Sequence, residues 1–464
     1  MSFVLLLLFL LTPLFSAAAQ AQAFNPTSWE WGLPFASLLL SLAVGPLAFP
    51  HYWHRHYGKL MVFLSLCFFL PAVVYFGWEI TTHHLLHHLL EDYLPFILLV
   101  GSLFVVTGGI RLKTQWLGTP QGNCAILAAG MLAASLIGTT GASMLLIRPL
   151  ILANAWREHT KHIYIFFIFL VANIGGCLTP LGDPPLFLGF LEGVPFFWTL
   201  SSMLAPLGII GGILLILFYR IDHYYYKQES QQPPFADVPT RGIRIEGKRN
   251  LFLLGAIIFA VLGSGLWTSS LSLSFLGVSL KLENIVRDVT LFGMMALSLI
   301  ITNPITRQEN HFSWAPFLEI VKIFFGIFVT VIPVLEMLRG GTAGPLGSFI
   351  ALANPQGVPH NPSYFWLTGL FSSFLDNAPT YLVFFHMAGG EVNLLTTSLA
   401  KTLLAISMGA VFMGAMSYIG NAPNFMIKSI AEGHGIKMPH FFGYMGWSCV
   451  ILLPLFLLIA LLFL

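Results

Sequence analysis

Gly176-Cys177-Leu178-Thr179-Pro180-Leu181-Gly182-Asp183-Pro184-Pro185 returns 238 residues later as Gly414-Ala415-Met416-Ser417-Tyr418-Ile419-Gly420-Asn421-Ala422-Pro423. The same displacement lays Ser135-Leu136-Ile137-Gly138-Thr139-Thr140 over Ser373-Phe374-Leu375-Asp376-Asn377-Ala378. Within each half the two polar interruptions are 44 residues apart, from Gly138 to Gly182 and from Asp376 to Gly420. All four lie in strongly apolar surroundings. Apolar segments broken by Gly and Pro at corresponding places in two halves point to the binding site of a secondary transporter.

Composition confines the chain to a membrane. Of its 464 residues, 56% are hydrophobic and 9% are charged, against about 25% charged in a soluble domain. Too few charges remain to cover a water-facing surface. The 14% aromatic content suits lipid-facing helices and interfacial belts. A net charge of +2 offers no footprint for nucleic acid. Cys67, Cys124, Cys177 and Cys449 are scattered in apolar stretches without a Cys-x-x-Cys, so no disulfide is expected. Neither His-Glu-x-x-His nor Gly-x-Ser-x-Gly occurs in the sequence. An intramembrane enzyme therefore ranks far below a transporter, and no cofactor is expected. The short apolar run from Phe3 to Phe15 precedes Ala21-Gln22-Ala23, which resembles a signal-peptidase site. Residues 1–23 are expected to be a cleaved signal peptide.

Apolar runs that cross a membrane, or nearly so, fall at about 34–50, 59–79, 93–109, 162–189, 197–219, 250–268, 286–304, 315–338, 400–427 and 441–464. Two more, at about 123–150 and 363–388, contain the first interruption of each half and read as re-entrant hairpins. The distribution of Lys and Arg supports that reading. With the N-terminus outside, the basic stretch 220–249 comes out cytoplasmic only if 123–150 returns to the side it entered from. The count then puts 80–92 and 190–196 outside, and the second hairpin enters from outside. Lys281, Arg287, Arg339 and Lys401 run against the bias. The expected architecture is an all-α polytopic membrane protein with about ten transmembrane helices plus two re-entrant hairpins in two inverted repeats. The halves are 24–219 and 250–464, joined by a cytoplasmic linker loop at 220–249.

Non-helical backbone at membrane depth is tolerated only where protein or a water-filled cavity surrounds it. Here each interruption joins Gly or Pro to polar side chains. The candidate ion- or substrate-binding residues are Thr139, Thr140 and Ser143 at the first; Asn173, Thr179 and Asp183 around the second; Asp376, Asn377 and Thr380 at the third; and Ser417, Asn421 and Asn424 at the fourth. Free carbonyls at helix C-termini suit cations, and free amides at N-termini suit anions. Asp183 and Asp376 are the sharpest candidates, including for Na⁺. An ionisable residue at membrane depth is costly and functional by default, whereas Asn or Ser would cap loose amides without a buried charge. Asn377 and Asn421 read equally as ligands or caps.

His83, His84, His87 and His88 have the i,i+4 spacing of a zinc site and the chemistry of a pH sensor. The favoured reading is an amphipathic interfacial stretch. His386 falls on Arg148 in the repeat and is a candidate for the cavity wall; Arg148 reads as a cytoplasmic anchor or a ligand for a carboxylate substrate, with the anchor favoured. Glu336 and Arg339, like Glu319 and Lys322, read as structural pairs at i,i+3.

Gly138-Thr139-Thr140-Gly141-Ala142-Ser143-Met144-Leu145-Leu146-Ile147-Arg148-Pro149, followed by Asn173-Ile174-Gly175-Gly176 through Gly182-Asp183-Pro184-Pro185, resembles the ion transporter superfamily. The nearest likeness is to bacterial sodium/proton antiporters of the D type. Citrate-transporter-like and arsenite-pump-like families share weaker forms. The resemblance spans most of the chain after residue 23. It implies inverted repeats, a homodimer in the bacterial inner membrane, and elevator-like or rocking motion. It also implies that Asp183 and Asp376 carry Na⁺ or H⁺, with Thr139, Thr140, Asn377 and Asn421 around them. The dicarboxylate branch carries Ser-Asn-Thr at its hairpin tips, where this chain has Gly-Thr-Thr-Gly and Asp-Asn-Ala-Pro-Thr. The expected function is Na⁺/H⁺ antiport by alternating access. The alternative is Na⁺- or H⁺-coupled transport of citrate or another small carboxylate.

Overall fold

The computed structural model describes residues 24–113, 118–230, 244–310 and 312–464. The expected signal peptide lies outside the described residues. The main helices are α1 (Leu33–Ala48), α2 (Pro50–Phe76), α3 (Trp78–His88), α4 (Leu94–Thr107), α5 (Pro120–Ile137), α6 (Thr139–Ala153), α7 (Lys161–Leu170), α8 (Pro184–Leu191) and α9 (Phe196–Tyr226). They continue with α10 (Arg249–Leu266), α11 (Leu282–Ile301), α12 (Ala315–Thr330), α13 (Ile332–Arg339), α14 (Asn361–Leu375), α15 (Asn377–Met387), α16 (Ala400–Met413), α17 (Ala422–Gly433) and α18 (Phe441–Phe463). Two small antiparallel ribbons add β1 (Arg111–Lys113) against β2 (Arg244–Glu246) and β3 (Ser272–Phe275) against β4 (Val278–Lys281).

The protein is an all-α polytopic membrane protein, 78% helical. Among the described residues nine helices are long and apolar enough to cross a membrane. The tally differs from the sequence reading at three places. Run 34–50 forms α1, only 16 residues long. Run 400–427 is divided at the second-half break into α16 and α17. α5 is long enough to cross, yet it belongs to a hairpin. The Gly118 N–H donates to the Ala153 carbonyl at 2.9 Å, so the chain returns to its starting level. The second hairpin closes the same way, with the Tyr364 hydroxyl donating to the Met387 carbonyl at 3.1 Å.

The hairpins enter from opposite faces, and α9 shows it. Its 31 residues span about 46 Å at 1.5 Å per residue. The end of the first hairpin meets the C-terminal end of α9, where Arg157 Nη2 lies 2.6 Å from Asp222 Oδ1. The end of the second meets the chain just before the N-terminus of α9, where His386 Nε2 lies 3.2 Å from Glu192 Oε1. Each hairpin starts from a side-chain cap. Thr119 accepts from the Gly122 N–H at 3.2 Å ahead of Pro120, and His360 accepts from the Ser363 N–H at 3.3 Å ahead of Pro362.

The stretch 220–249 is not one loop. α9 runs on to Tyr226 because its last turns are packed: Trp156 meets Tyr226, and His159 and His162 stack on Tyr225. At the other end β2 pairs with β1, and Arg111 bonds to Glu309 and lies 3.6 Å from Glu246. Residues 231–243 lie outside the described residues. The segment through α7 and the first half of the break is the most enclosed, 94% buried, whereas α11 is 17% buried and faces outward. The central position goes to the helix that carries the interruption.

Candidate functional site

The two hairpin tips turn on one backbone conformation. Gly138 has φ 79° and ψ 150°, and Asp376 has φ 74° and ψ 139°. That region costs a residue with a Cβ of order 1–3 kcal/mol and suits glycine. Asp376 offsets part of the strain by capping α15, its carboxylate accepting the Ala378 N–H at 3.1 Å. The two breaks also match. Asp183 stands at the N-cap position of α8 with φ −144° and ψ 142°, and Asn421 at that of α17 with φ −153° and ψ 138°, neither side chain bonding to its own helix. Each break folds back tightly on itself. A Cβ on Gly182 would come within 2.1 Å of the Gly176 carbonyl oxygen, and one on Gly420 within 2.7 Å of the Gly414 oxygen.

Three elements converge on the Asp183 carboxylate. The Thr139 hydroxyl donates to Oδ1 at 3.0 Å, the Asn421 amide donates to Oδ1 at 3.2 Å, and the Asn377 amide donates to Oδ2. All four residues are buried. Asn421 is the repeat mate of Asp183, so this contact joins equivalent positions. In a two-fold arrangement a residue touches its own mate only at the axis, so the site lies on the pseudo-two-fold axis.

A second layer of amides holds this centre. Asn421 also donates to Asn173 Oδ1 at 3.2 Å, Asn173 donates to Asn424 Oδ1 at 2.7 Å, and Asn424 donates to the Gly414 and Ser417 carbonyls at 2.8 and 2.9 Å. Such a network keeps the buried polar groups satisfied and the carboxylate fixed in place.

A cavity of about 60 Å³ opens beside Asp183. Its polar lining comes from Thr139, Thr140, Asp183, Asp376 and Asn421, with no Lys, Arg or His among the described residues that line it. Its apolar wall includes Phe96 and Leu103 of α4 and Phe324 of α12. This volume is far below the roughly 300–1,000 Å³ of a small-molecule pocket and suits a small ion or a few waters.

The sequence candidates thus fall into three groups. Thr139, Asp183, Asn377 and Asn421 form the centre, with Asn173 and Asn424 behind it, and Thr140 and Asp376 line the cavity. Thr179 and Ser417 instead tie the breaks to the hairpins. The Thr179 hydroxyl donates to the Ser135 carbonyl, and the Ser417 hydroxyl donates to that of Ser373 at 2.5 Å. Thr380 bonds back to the Asp376 carbonyl at 2.8 Å, and the buried Ser143 hydroxyl has no partner among the described residues. Neither lines the cavity.

His386 does not line the cavity either; it pairs with Glu192. Its position on α15, more than two turns beyond the tip, carries it away from the centre. The apolar walls from α4 and α12 went unseen in the sequence, because an apolar wall reads like a lipid-facing one.

Hairpins entering from opposite faces, breaks paired across an axis and a buried carboxylate at their meeting point define a multi-pass membrane transporter. Residues 24–464 match the family described as "Putative citrate transport", and the chain belongs to that family. No curated protein matches the chain.

Proposed function

We propose that the protein exchanges Na⁺ for H⁺ by alternating access, with Asp183 as the group that holds one or the other. The observation that carries this reading is the cavity: two carboxylates, two hydroxyls and an amide line it, with no cationic side chain. A small cation would meet the hard oxygen ligands it prefers. Citrate would meet like charge and no bidentate guanidinium partner. A carboxylate binds either a proton or Na⁺, so competition at one site gives obligate exchange. Acid protonates the carboxylate and removes the cation ligand, so exchange slows as pH falls. The resemblance adds a homodimer in the bacterial inner membrane as the working form.

A second reading, Na⁺- or H⁺-coupled citrate transport, is favoured by the family description. Proteoliposomes with a preset pH gradient separate the two. Under the first reading Na⁺ collapses the gradient and citrate alone does not. Saturable citrate uptake without Na⁺-dependent proton movement overturns it in favour of the second.

A further inference from the structure

The histidine stretch of α3 and the displaced His386 meet on one face. On α3 and the turn after it, His87 lies 3.6 Å from Glu91 and His88 Nδ1 lies 2.6 Å from Asp92. The 89–93 turn packs on α8. α8 and α15 begin at the site, with Asp183 and Asp376 at their N-cap positions, and run outward side by side. The Glu192–His386 bond, at 3.2 Å, ties their far ends.

His88 from α3 and Arg339 from α13 also act electrostatically on Glu192. Burial alone would raise the Glu192 carboxyl. The His386 bond and these positive neighbours outweigh burial and hold it below the usual carboxylate range. The charged and titratable groups on the surrounding elements are Glu336, 2.6 Å from Arg339; Asp92 on His88; Glu391, which follows α15; His360, bound to Ser363 at the start of α14; and the exposed Lys401 on α16.

The repeat-equivalent positions carry no such tie. The 238-residue displacement carries His386 to Arg148 and Glu192 to Ile430. α6 packs on α17 as α15 packs on α8. Yet no acid stands at 430, and the buried Arg148 Nε has no hydrogen-bond partner among the described residues.

We propose that Glu192 and His386 form a proton-dependent latch that closes the α3 face of the transporter and has no counterpart at the repeat-equivalent positions. The proposal rests on the transporter class and not on which cargo moves. With His386 protonated, Glu192 is held by a charge-assisted bond, roughly twice as strong as a neutral one. When His386 loses its proton the bond is no longer charge-assisted, and the outer ends of α8 and α15 are released. The latch is tight in acid and loose in alkali.

Spin labels at Phe197→Cys and Leu394→Cys, both exposed and flanking the latch, test it in the full chain freed of its own cysteines and reconstituted in liposomes. The longer-distance population should grow about threefold between about pH 6 and about pH 8. His386→Gln keeps a donor towards Glu192 but cannot titrate, so its distances should not change with pH. Glu192→Gln removes the charge the latch holds and should show the open distribution at both pH values. Distances that ignore pH with the native latch, or that shift equally in His386→Gln, overturn the proposal. None of these readouts is a flux, so failure of the Na⁺/H⁺ reading would leave them interpretable.

Discussion

The two hairpin-and-break units share one path of the chain and differ in where the charge sits. The first half has Gly138 at the tip and Asp183 at the break; the second has Asp376 at the tip and Asn421 at the break. Gly and Pro punctuation sets the backbone in both, and the polar identity is exchanged on top of it. Each Asp stands where its mate is neutral. The axis therefore carries one carboxylate against an amide, at 3.2 Å, and not two carboxylates that could not both ionise. Symmetry builds the cavity, and its violation leaves a single carboxylate on the axis.

The severest test of that asymmetry moves the charge across the axis. Asp183→Asn should reduce transport to background in proteoliposomes, on the order of a thousandfold, while the protein still folds. Asn421→Asp alone places two carboxylates in contact and should also be inactive near neutral pH. The double swap, Asp183→Asn with Asn421→Asp, restores one carboxylate at the axis. Thr139 and Asn377 are also repeat mates, so the relocated carboxylate would face the same donors. Recovery of at least about tenfold over Asp183→Asn supports a pseudo-symmetric centre. A double swap no better than either single change would break the comparison.

The bases of the hairpins differ in kind. The first is held by a buried charge network: Arg157 to Asp222 at 2.6 Å, His162 to Asp222 at 2.8 Å, and Asn123 to Asp222 at 3.0 Å. At the position equivalent to Asn123, Asn361 accepts only a hydroxyl bond from Thr402 at 2.8 Å. Arg157→Ala leaves Asp222 buried without its guanidinium and should cost about 3–5 kcal/mol. Asn361→Ala should cost about 1 kcal/mol. Unfolding in detergent measures both, and equal losses would erase the distinction between a fixed hairpin and a looser one.

The path was legible in the sequence and its fastenings were not. The 238-residue displacement located both tips and both breaks because Gly, Pro and polar residues stand out against an apolar background. The same displacement finds equivalents but not partners. It linked His386 to Arg148 and so suggested a cavity wall, while the actual partner, Glu192, sat in a short outer connection with nothing to announce the pairing. Arg157, His162 and Asp222 come from three segments, and nothing local announces their meeting. The tyrosines at 224–226 looked like the start of a polar loop, because the rings of Trp156 and His159 that pack on them lie some 70 residues earlier in the chain.

Asp376 sharpens the comparison at the tips. Asp376→Ala keeps a Cβ at φ 74° and loses the cap, and should destabilise by about 1–2 kcal/mol. Asp376→Gly copies Gly138, trading the lost cap against relieved strain, and should be neutral within about 1 kcal/mol. A glycine variant that melts with the wild type but transports slowly would give the carboxylate a role in the cavity. Normal transport at every pH would leave Asp376 a structural cap.

The smallest effects are expected at Thr179 and Ser417, and there the halves should agree. Each hydroxyl donates to the carbonyl of an equivalent serine, Ser135 or Ser373. Each also accepts backbone N–H groups of its own break, from Leu181 at 3.1 Å in the first half and from Ile419 and Gly420 at 3.2 and 3.1 Å in the second. Neither lines the cavity. Thr179→Val and Ser417→Ala remove matched bonds, so each should cost about 1 kcal/mol. Ser417→Ala should cost slightly more, because it frees two N–H groups where Thr179→Val frees one. Apparent affinity for the transported ion should stay within about twofold of wild type in both, since the lost bonds hold the scaffold and not the cargo. An affinity loss in one variant alone would mean that the cargo contacts a single break directly, and that the symmetric tie conceals an asymmetric ligand.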